Sequence, residues 1–297
     1  MAFSLAIAQA GTFAPDTRPD WRVGLIGKGI QLSRTPAMHE AEAKAQGRGL
    51  RYELIDPDTI GGPEPTLAQM LDAAEDAGFA GVNITFPYKK AVIDLLDEIS
   101  DPARRVGAVN TVVFANGGRR GHNTDFWGFA ESLRQGLPDV PKQTVLLLGA
   151  GGAGGAVAHA LKSLGVETLL IHDRDRLAAK HLADDVGAVV VDDLAQSAAN
   201  ADGIVNATPM GMAKLPGTAI DPVMLAPRHW VADIVYFPLE TELLRAARLA
   251  GCRTLSGAGM AVFQAVRAFG LFTGLSADPA RMRATFETFD KTTQQGG

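Results

Sequence analysis

The sequence predicts a two-domain α/β protein, and three observations predict it. From Arg22 onward, short apolar runs alternate with amphipathic segments of helical period, the rhythm of a mostly parallel sheet covered by helices. A second unit of the same kind opens near Thr144 with an apolar strand, a glycine-rich turn and a helix, the arrangement of a Rossmann-type dinucleotide-binding domain. At 297 residues and 46% hydrophobic content, the chain is long and apolar enough to build two cores of ordinary size.

In chain order, RVGLIG reads as the first strand. PAMHEAEAKAQG follows as a helix, with Pro36 in its first turn and Gly47 just past its end. LRYELID, EPTLAQMLDAAEDAG and FAGVNITF supply a strand, a helix and a strand. PYKKAVIDLLDEIS is expected to be a further helix starting on Pro87. AVNTVVFANGGRRGHNTD breaks the rhythm: two short strands around Asn116, Gly117 and Gly118 predict a hairpin on the edge of the first sheet. TVLLLGAGGAGGAVAHALKSLG then begins the second unit, and TLLIHD is its next strand. The polar TTQQGG end is expected to be disordered.

Composition narrows the function classes. A formal net charge of -5 gives no footprint for nucleic acid or an anionic membrane. No apolar run reaches the length of a membrane span. The single cysteine, Cys252, excludes an internal disulfide and fits a reducing compartment. MAFSLAIAQAG lacks a positively charged start and is soon followed by PDTRPD, which reads as a loose extension rather than a secretion signal and sets a cytoplasmic expectation. His39, His122, His159, His172, His181 and His229 are scattered without metal-ligand spacing, so no metal is expected.

Gly149, Gly151 and Gly154 form G-x-G-x-x-G around Ala150, Gly152 and Ala153. The first glycine permits the tight turn, the second lets backbone approach a pyrophosphate, and the third lets the helix pack on its strand. Free N–H groups and the dipole at the helix start then face phosphate. Asp173 ends the next strand about 20 residues on, where a ribose-binding acid belongs. Its carboxylate suits the two ribose hydroxyls of NAD and repels the additional phosphate of NADP. Arg174, beside it, reads either as a solvated charge in the DRDR run or as a partner for that phosphate. NAD is favoured, and NADP stays open.

Lys89 and Lys90 follow the third strand of the first unit, at the sheet edge where ligands lie. Two ammonium groups in the first turn of the expected helix oppose its dipole. The dipole and the neighbouring ammonium also favour the neutral form of whichever lysine faces a ligand, which suits acid/base work near neutral pH.

These residues, taken together, resemble the shikimate and quinate dehydrogenases. GVNITFPYK looks like that family's lysine motif, GAVNT (Gly107 to Thr111) its asparagine motif, and GHNTD (Gly121 to Asp125) its catalytic aspartate motif. LSRTP resembles the carboxylate-binding S-x-S loop, GAGGAGGA the glycine loop, and NATPMGM (Asn206 to Met212) the segment near the nicotinamide. DIVYFPLETELL and GMAVFQA resemble the late strand and helix and the C-terminal glutamine helix. The resemblance runs from about residue 22 to 290 in the family's order. It implies a substrate domain over 1–124 completed by 257–297, a dinucleotide domain over 125–256, and a substrate cleft between them.

The implied chemistry is hydride transfer between nicotinamide C4 and a ring carbinol carbon of a polyhydroxylated cyclohexane or cyclohexene carboxylate. Lys89 and Asp125 match the catalytic pair. Thr85, Asn110, Asn123 and Gln264 are implied for the substrate, and Ser33, Thr35 and Tyr236 for its carboxylate. Asn206, Ala207, Thr208, Pro209, Met210, Gly257 and Met260 are implied around the cofactor, as a monomer or homodimer. Each has a plainer structural use. Ser33 or Thr35 suits capping of the helix at Pro36, and Asp125 suits the N-cap of FWGFAESLRQG. Asn110 and Asn123 suit hairpin positions, while Gln264 and Met260 suit a helical core. Thr35 in place of the second serine resembles members that take quinate as well as shikimate. Asp173 replaces the asparagine of the NADP-linked pattern, whose later arginine is here Ala178. A biosynthetic NADP-linked shikimate dehydrogenase and a non-catalytic quinate- or dinucleotide-binding regulator are the competing readings.

Overall fold

The computed structural model describes residues 19–293, so the amino-terminal extension and the end of the polar tail lie outside the described residues. Two compact units emerge: one from the chain up to Thr124 together with the chain from Ala265, the other from Asp125 to Gln264.

The first unit is built on a six-stranded sheet of order β2-β1-β3-β5-β6-β4. Its first half is βαβαβ: β1 (Trp21–Ile26), α1 (Thr35–Ala45), β2 (Leu50–Ile55), α2 (Leu67–Asp76) and β3 (Gly81–Ile84), with β1 parallel to both neighbours. Alternation along β1 divides the core: Val23 and Leu25 pack with Tyr52, Ala268 and Phe272, while Ile26 packs with Met70, Leu71 and Val82. Helix α1 starts with Pro36 in its first turn and is followed by Gly47 in the left-handed region. Thr66 and Gln69 close a reciprocal capping box on α2. At Gly81 a Cβ would lie 2.4 Å from the Val112 carbonyl and 2.6 Å from the Phe272 ring, so only glycine lets β3 sit there.

Two expectations for this unit are corrected. Residues 87–99 do not form a helix from Pro87; turns lead into a short 3-10 helix, Ala91–Leu95, and then β4 (Glu98–Ile99). The physical reason is the Lys89 carbonyl, which accepts the Val109 N–H at 2.8 Å instead of feeding a helical ladder. The hairpin of β5 (Thr111–Ala115) and β6 (Gly118–His122) is present, and Asn116 and Gly117 both take positive φ, as a two-residue turn between right-twisted strands requires. It is not the sheet edge, because β4 pairs outside β6.

The second unit is a wholly parallel sheet of order β12-β11-β10-β7-β8-β9: β7 (Thr144–Leu148), β8 (Thr168–His172), β9 (Val189–Val190), β10 (Gly203–Asn206), β11 (Trp230–Asp233) and β12 (Arg253–Leu255). This is the doubly wound dinucleotide-binding order. Val145 and Leu147 face one core, and Leu146 and Leu148 the other. Gly203 admits the Trp230 indole, which a Cβ would meet at 2.1 Å. Helix α9 (Ala258–Thr273) contributes to both units, since Met260 belongs to the core of the second while Ala268 and Phe272 pack in the first.

Among the buried polar residues of the first unit, His39 stands apart. His39 on α1 is fully buried, its ring 5.0 Å from Tyr52, 5.9 Å from Phe269 and 6.0 Å from Phe272, and neither ring nitrogen has a hydrogen-bond partner among the described residues. Burial pushes its pKa down to about 3. The unfolded chain takes up this proton near pH 6.5 and the folded chain does not, so the stability carried by neutral His39 is complete above about pH 6.5. It declines by about 1.4 kcal/mol per pH unit as pH falls toward the folded pKa. His122, lowered to about 4 by burial and then by Arg120 and Arg267, acts in the same sense. In urea unfolding between pH 6 and pH 4, His39→Leu is expected to lessen the pH slope of stability by the equivalent of about one proton. An unchanged slope would show that His39 protonates without unfolding.

Candidate functional site

The winding of the first unit reverses at β1, since the chain passes to β2 on one side and to β3 on the other. Loops leaving such a pair of strands turn to opposite faces and leave a crevice at the carboxyl ends. Backbone bonds gather the neighbouring segments there. Thr85 N–H donates to the Ile26 carbonyl at 3.0 Å, Lys28 N–H to Phe86 at 3.1 Å, Ile84 N–H to Asn110 at 2.8 Å and Asn110 N–H to His122 at 3.0 Å. Gly27 is required beside Thr85, whose Cγ2 would lie 2.2 Å from a Cβ.

The side chains at this edge are mostly neutral. Ser33 and Thr35 are half-buried, with the Ser33 Oγ accepting the Thr35 N–H at 3.3 Å. Neither is the N-cap of α1: Arg34 occupies that position without a side-chain cap, which corrects the capping expectation. Thr85 and Lys89 are half-buried and Lys90 is exposed, so the two lysines are not equivalent. With no helix starting at Pro87, the expected conflict with a helix dipole also falls away.

Asn110 is buried in a network that composition does not reveal. Its Oδ1 accepts the Thr124 N–H at 2.7 Å and lies 3.2 Å from the Thr111 and Thr124 hydroxyls, while its Nδ2 donates to Thr124 Oγ1 at 3.0 Å. Behind it, Tyr52 Oη donates to Asn83 Oδ1 at 2.7 Å, and Asn83 Nδ2 donates to Thr111 Oγ1 at 2.9 Å. Asn123 Nδ2 donates to the Ala108 carbonyl at 3.0 Å. Sequence reasoning missed Tyr52, Asn83, Thr111 and Thr124. An asparagine within the fully buried strand GVNI was the available signal, because a buried amide demands partners. Asp56, also missed, fixes the loop after β1 by accepting the Ile30 N–H and the Gln31 amide, each at 3.2 Å.

Asp125 follows Thr124 in the first turn of α4 (Thr124–Gly136), inside the helix rather than at its N-cap, and is buried. A carboxylate there is favourable to the helix dipole. Asp125, Tyr236 and Gln264 lie in the second unit. Tyr236 is 43% exposed, and Gln264 is half-buried on α9.

The second unit repeats the reversal, at β7, between β8 and β10. Gly149 has φ of 104°, and a Cβ on it would lie 2.8 Å from Ala207 backbone. A Cβ on Gly154 would lie 2.1 Å from the Gly149 carbonyl oxygen. Gly151 and Gly152, by contrast, open onto space, with Gly151 the N-cap of α5 (Gly152–Ser163). Asp173 is half-buried: its Oδ2 accepts the Ala150 N–H at 2.6 Å, and its Oδ1 accepts the Asp175 N–H at 2.8 Å. Arg174 is exposed.

Beyond β10, Asn206 Nδ2 donates to Asp233 Oδ1 and the Met210 carbonyl, and its Oδ1 accepts from the Thr208 N–H and hydroxyl. Asn206 thus shapes the loop carrying Ala207, Thr208, Pro209 and Met210. Burial raises the Asp233 carboxyl above the ordinary range, opposed by hydrogen bonds from Thr241, Val235 and Asn206. Gly257 allows close approach to the end of β11, where a Cβ would lie 2.3 Å from the Ile234 carbonyl, and Met260 is buried in the core.

Residues 25–112 match the model of the shikimate dehydrogenase substrate binding domain, and 131–227 that of the shikimate / quinate 5-dehydrogenase. A quinate/shikimate dehydrogenase (NAD(+)) of Corynebacterium efficiens is 53% identical over 89% of this chain and 96% of its own length. A shikimate dehydrogenase (NADP(+)) of Streptomyces avermitilis is 51% identical over 90% of this chain and 95% of its own. The solved quinate dehydrogenase from Corynebacterium glutamicum in complex with NAD aligns with a TM-score of 0.87 and 51% identity, covering 90% of this chain and 99% of that one. Both family models fall in order on a chain whose two sheets carry the lysine, asparagine and glycine-loop motifs at their points of reversal, and the chain belongs to the shikimate and quinate dehydrogenase family.

Proposed function

We propose that the chain catalyses reversible NAD-linked oxidation of quinate and shikimate to their 3-dehydro ketones, with Lys89 and Asp125 as its acid/base pair. The carrying observation is the chemistry gathered after β1 and β3, where half-buried hydroxyls and buried amides accompany a half-buried ammonium. That set suits a small polyhydroxylated acid. The names of the Corynebacterium relatives support the substrate class, and the NAD bound to the solved relative supports the cofactor. The reading has the enzyme acting in the cytoplasm as a monomer or homodimer.

The residues present fit a dinucleotide, because the open faces of Gly151 and Gly152 at the start of α5 leave room that any side chain would fill. When bound, NAD supplies the hydride acceptor. The chain's own residues bind, orient and move the proton. Asp173, held against the glycine loop through the Ala150 N–H, accepts ribose hydroxyls in this reading and disfavours an added phosphate. Ser33 and Thr35 hold the carboxylate, while Thr85, Asn110, Asn123 and Gln264 hold ring hydroxyls. At the reacting hydroxyl, Lys89 stabilises the developing alkoxide and shares the proton work with Asp125. NADP-linked reduction of 3-dehydroshikimate is the second reading, favoured by the exposed Arg174 and by the Streptomyces relative.

Lys89→Ala is expected to lower kcat about 10²-fold or more with substrate binding within several-fold, because the lost interaction belongs mainly to the transition state. Lys90→Ala should have little effect, and comparable losses in both would refute the assignment. Asp173→Asn is expected to shift the NAD/NADP ratio of kcat/KM toward NADP by about 1–3 kcal/mol; a wild type that already prefers NADP would contradict the role given to Asp173. The deciding measurement is a matrix of initial rates with quinate and shikimate against NAD and NADP. Turnover of both acids with NAD is expected, and Thr35→Ser should lose quinate activity more than shikimate activity, since the β-branch aims its hydroxyl. Shikimate oxidation with no detectable quinate turnover would favour the second reading.

A further inference from the structure

Arg34 stands between Ser33 and Thr35 and is buried, at 6% exposure. An arginine in a loop that receives a carboxylate would ordinarily be assigned to that carboxylate. Here a guanidinium nitrogen, Nη1, donates to the Phe286 carbonyl at 3.1 Å, and the group lies 4.8 Å from the Phe286 ring centroid and 5.6 Å from that of Phe289. Both aromatics belong to the last helix, α10 (Pro279–Thr293).

Farther along α1, the buried Glu42 receives Arg281 through two bonds, of 2.9 and 2.7 Å, and the Asp278 N–H at 2.9 Å. The two helices therefore run antiparallel, with α10 gripping α1 near both ends. At the N-cap of α1 a cation opposes the helix dipole, so the local sequence does not favour Arg34 there. Stacking on two rings and a charge-assisted bond to a carbonyl supply what the cap position lacks.

We propose that Arg34 is a positioning residue for acid binding: by docking on α10 it fixes the Ser33–Thr35 loop and so sets the affinity for the substrate carboxylate, without itself taking the carboxylate. The proposal rests on the reading of Ser33 and Thr35 as the carboxylate loop.

The test uses the full chain carrying Arg34→Ala, Arg34→Lys or Phe289→Leu. KM for shikimate, kcat, NAD affinity by fluorescence titration and hydrogen exchange over residues 30–38 are measured for each. Arg34→Ala is expected to raise KM for the acid about ten-fold with kcat within about two-fold and NAD affinity unchanged. Arg34→Lys, which keeps the charge but not the planar fork, and Phe289→Leu, which removes one partly exposed ring, should show smaller rises in the same direction. Exchange over 30–38 should quicken in all three. In a Ser33→Ala background the effect of Arg34→Ala on KM should shrink, because both act through one loop.

Full additivity, an unchanged KM for the acid, or a parallel loss of NAD affinity would overturn the proposal. Should Ser33→Ala alone leave KM unchanged, the carboxylate reading falls by itself. Exchange then decides for Arg34: faster exchange upholds its hold on the loop, and unchanged exchange overturns it. If Arg34→Ala does not fold, Phe289→Leu carries the same measurements.

Discussion

Two parallel strands whose following loops turn to opposite faces leave their carboxyl ends uncovered, and the backbone groups there must find partners other than the next helix. In the first unit those partners are neighbouring segments: Thr85 on Ile26, Lys28 on Phe86, Val109 on Lys89 and Asn110 on His122. The pieces of chain carrying Ser33, Lys89, Asn110 and Asn123 are thereby brought to one edge from distant parts of the sequence. The second unit meets the same requirement with glycine, since the turn after β7 can lie against Ala207 only where Gly149 has no side chain. Recognition in both units follows from how the sheet is wound, before any side chain is chosen.

Polar groups near that edge are held in chains rather than singly. Asn110 has its carbonyl oxygen occupied by Thr124 and neighbouring hydroxyls, so the amide is fixed in one orientation. Asn206 is similarly occupied between Asp233, Met210 and Thr208. A half-satisfied buried network is worse than an apolar core. Such networks therefore favour one geometry, which suits a site that must distinguish hydroxyl positions on a ring.

Elements whose partners are near in sequence were legible. The Asn116-Gly117 turn and the glycine loop both declare themselves within a few residues. Elements decided by distant partners were not. The segment 87–95 has the pattern of a helix, but Val109, in the loop that arrives later ahead of β5, takes the carbonyl of Lys89. β4 is two residues long, too short for any period to register. Arg34 carries no signal of its own, because its partner lies 252 residues away. The candidate catalytic and glycine-loop positions were expected from motifs; Asn83 and Thr111 lie inside the same motifs with no role legible there, while Tyr52 and Asp56 carried none, because their bonds are to partners from other segments.

Lys89 is anchored through its main chain, by a carbonyl that any residue possesses. That bond makes no demand on which side chain stands at the position. On the proposed reading, a relative that exchanged the ammonium for an inert group would lose chemistry while keeping that backbone bond, and would keep whatever recognition the surrounding hydroxyls and amides provide. Turning a dehydrogenase of this architecture into a receptor for the same small acids is, in structural terms, a short step, and divergence within such a lineage is free to run from turnover to sensing.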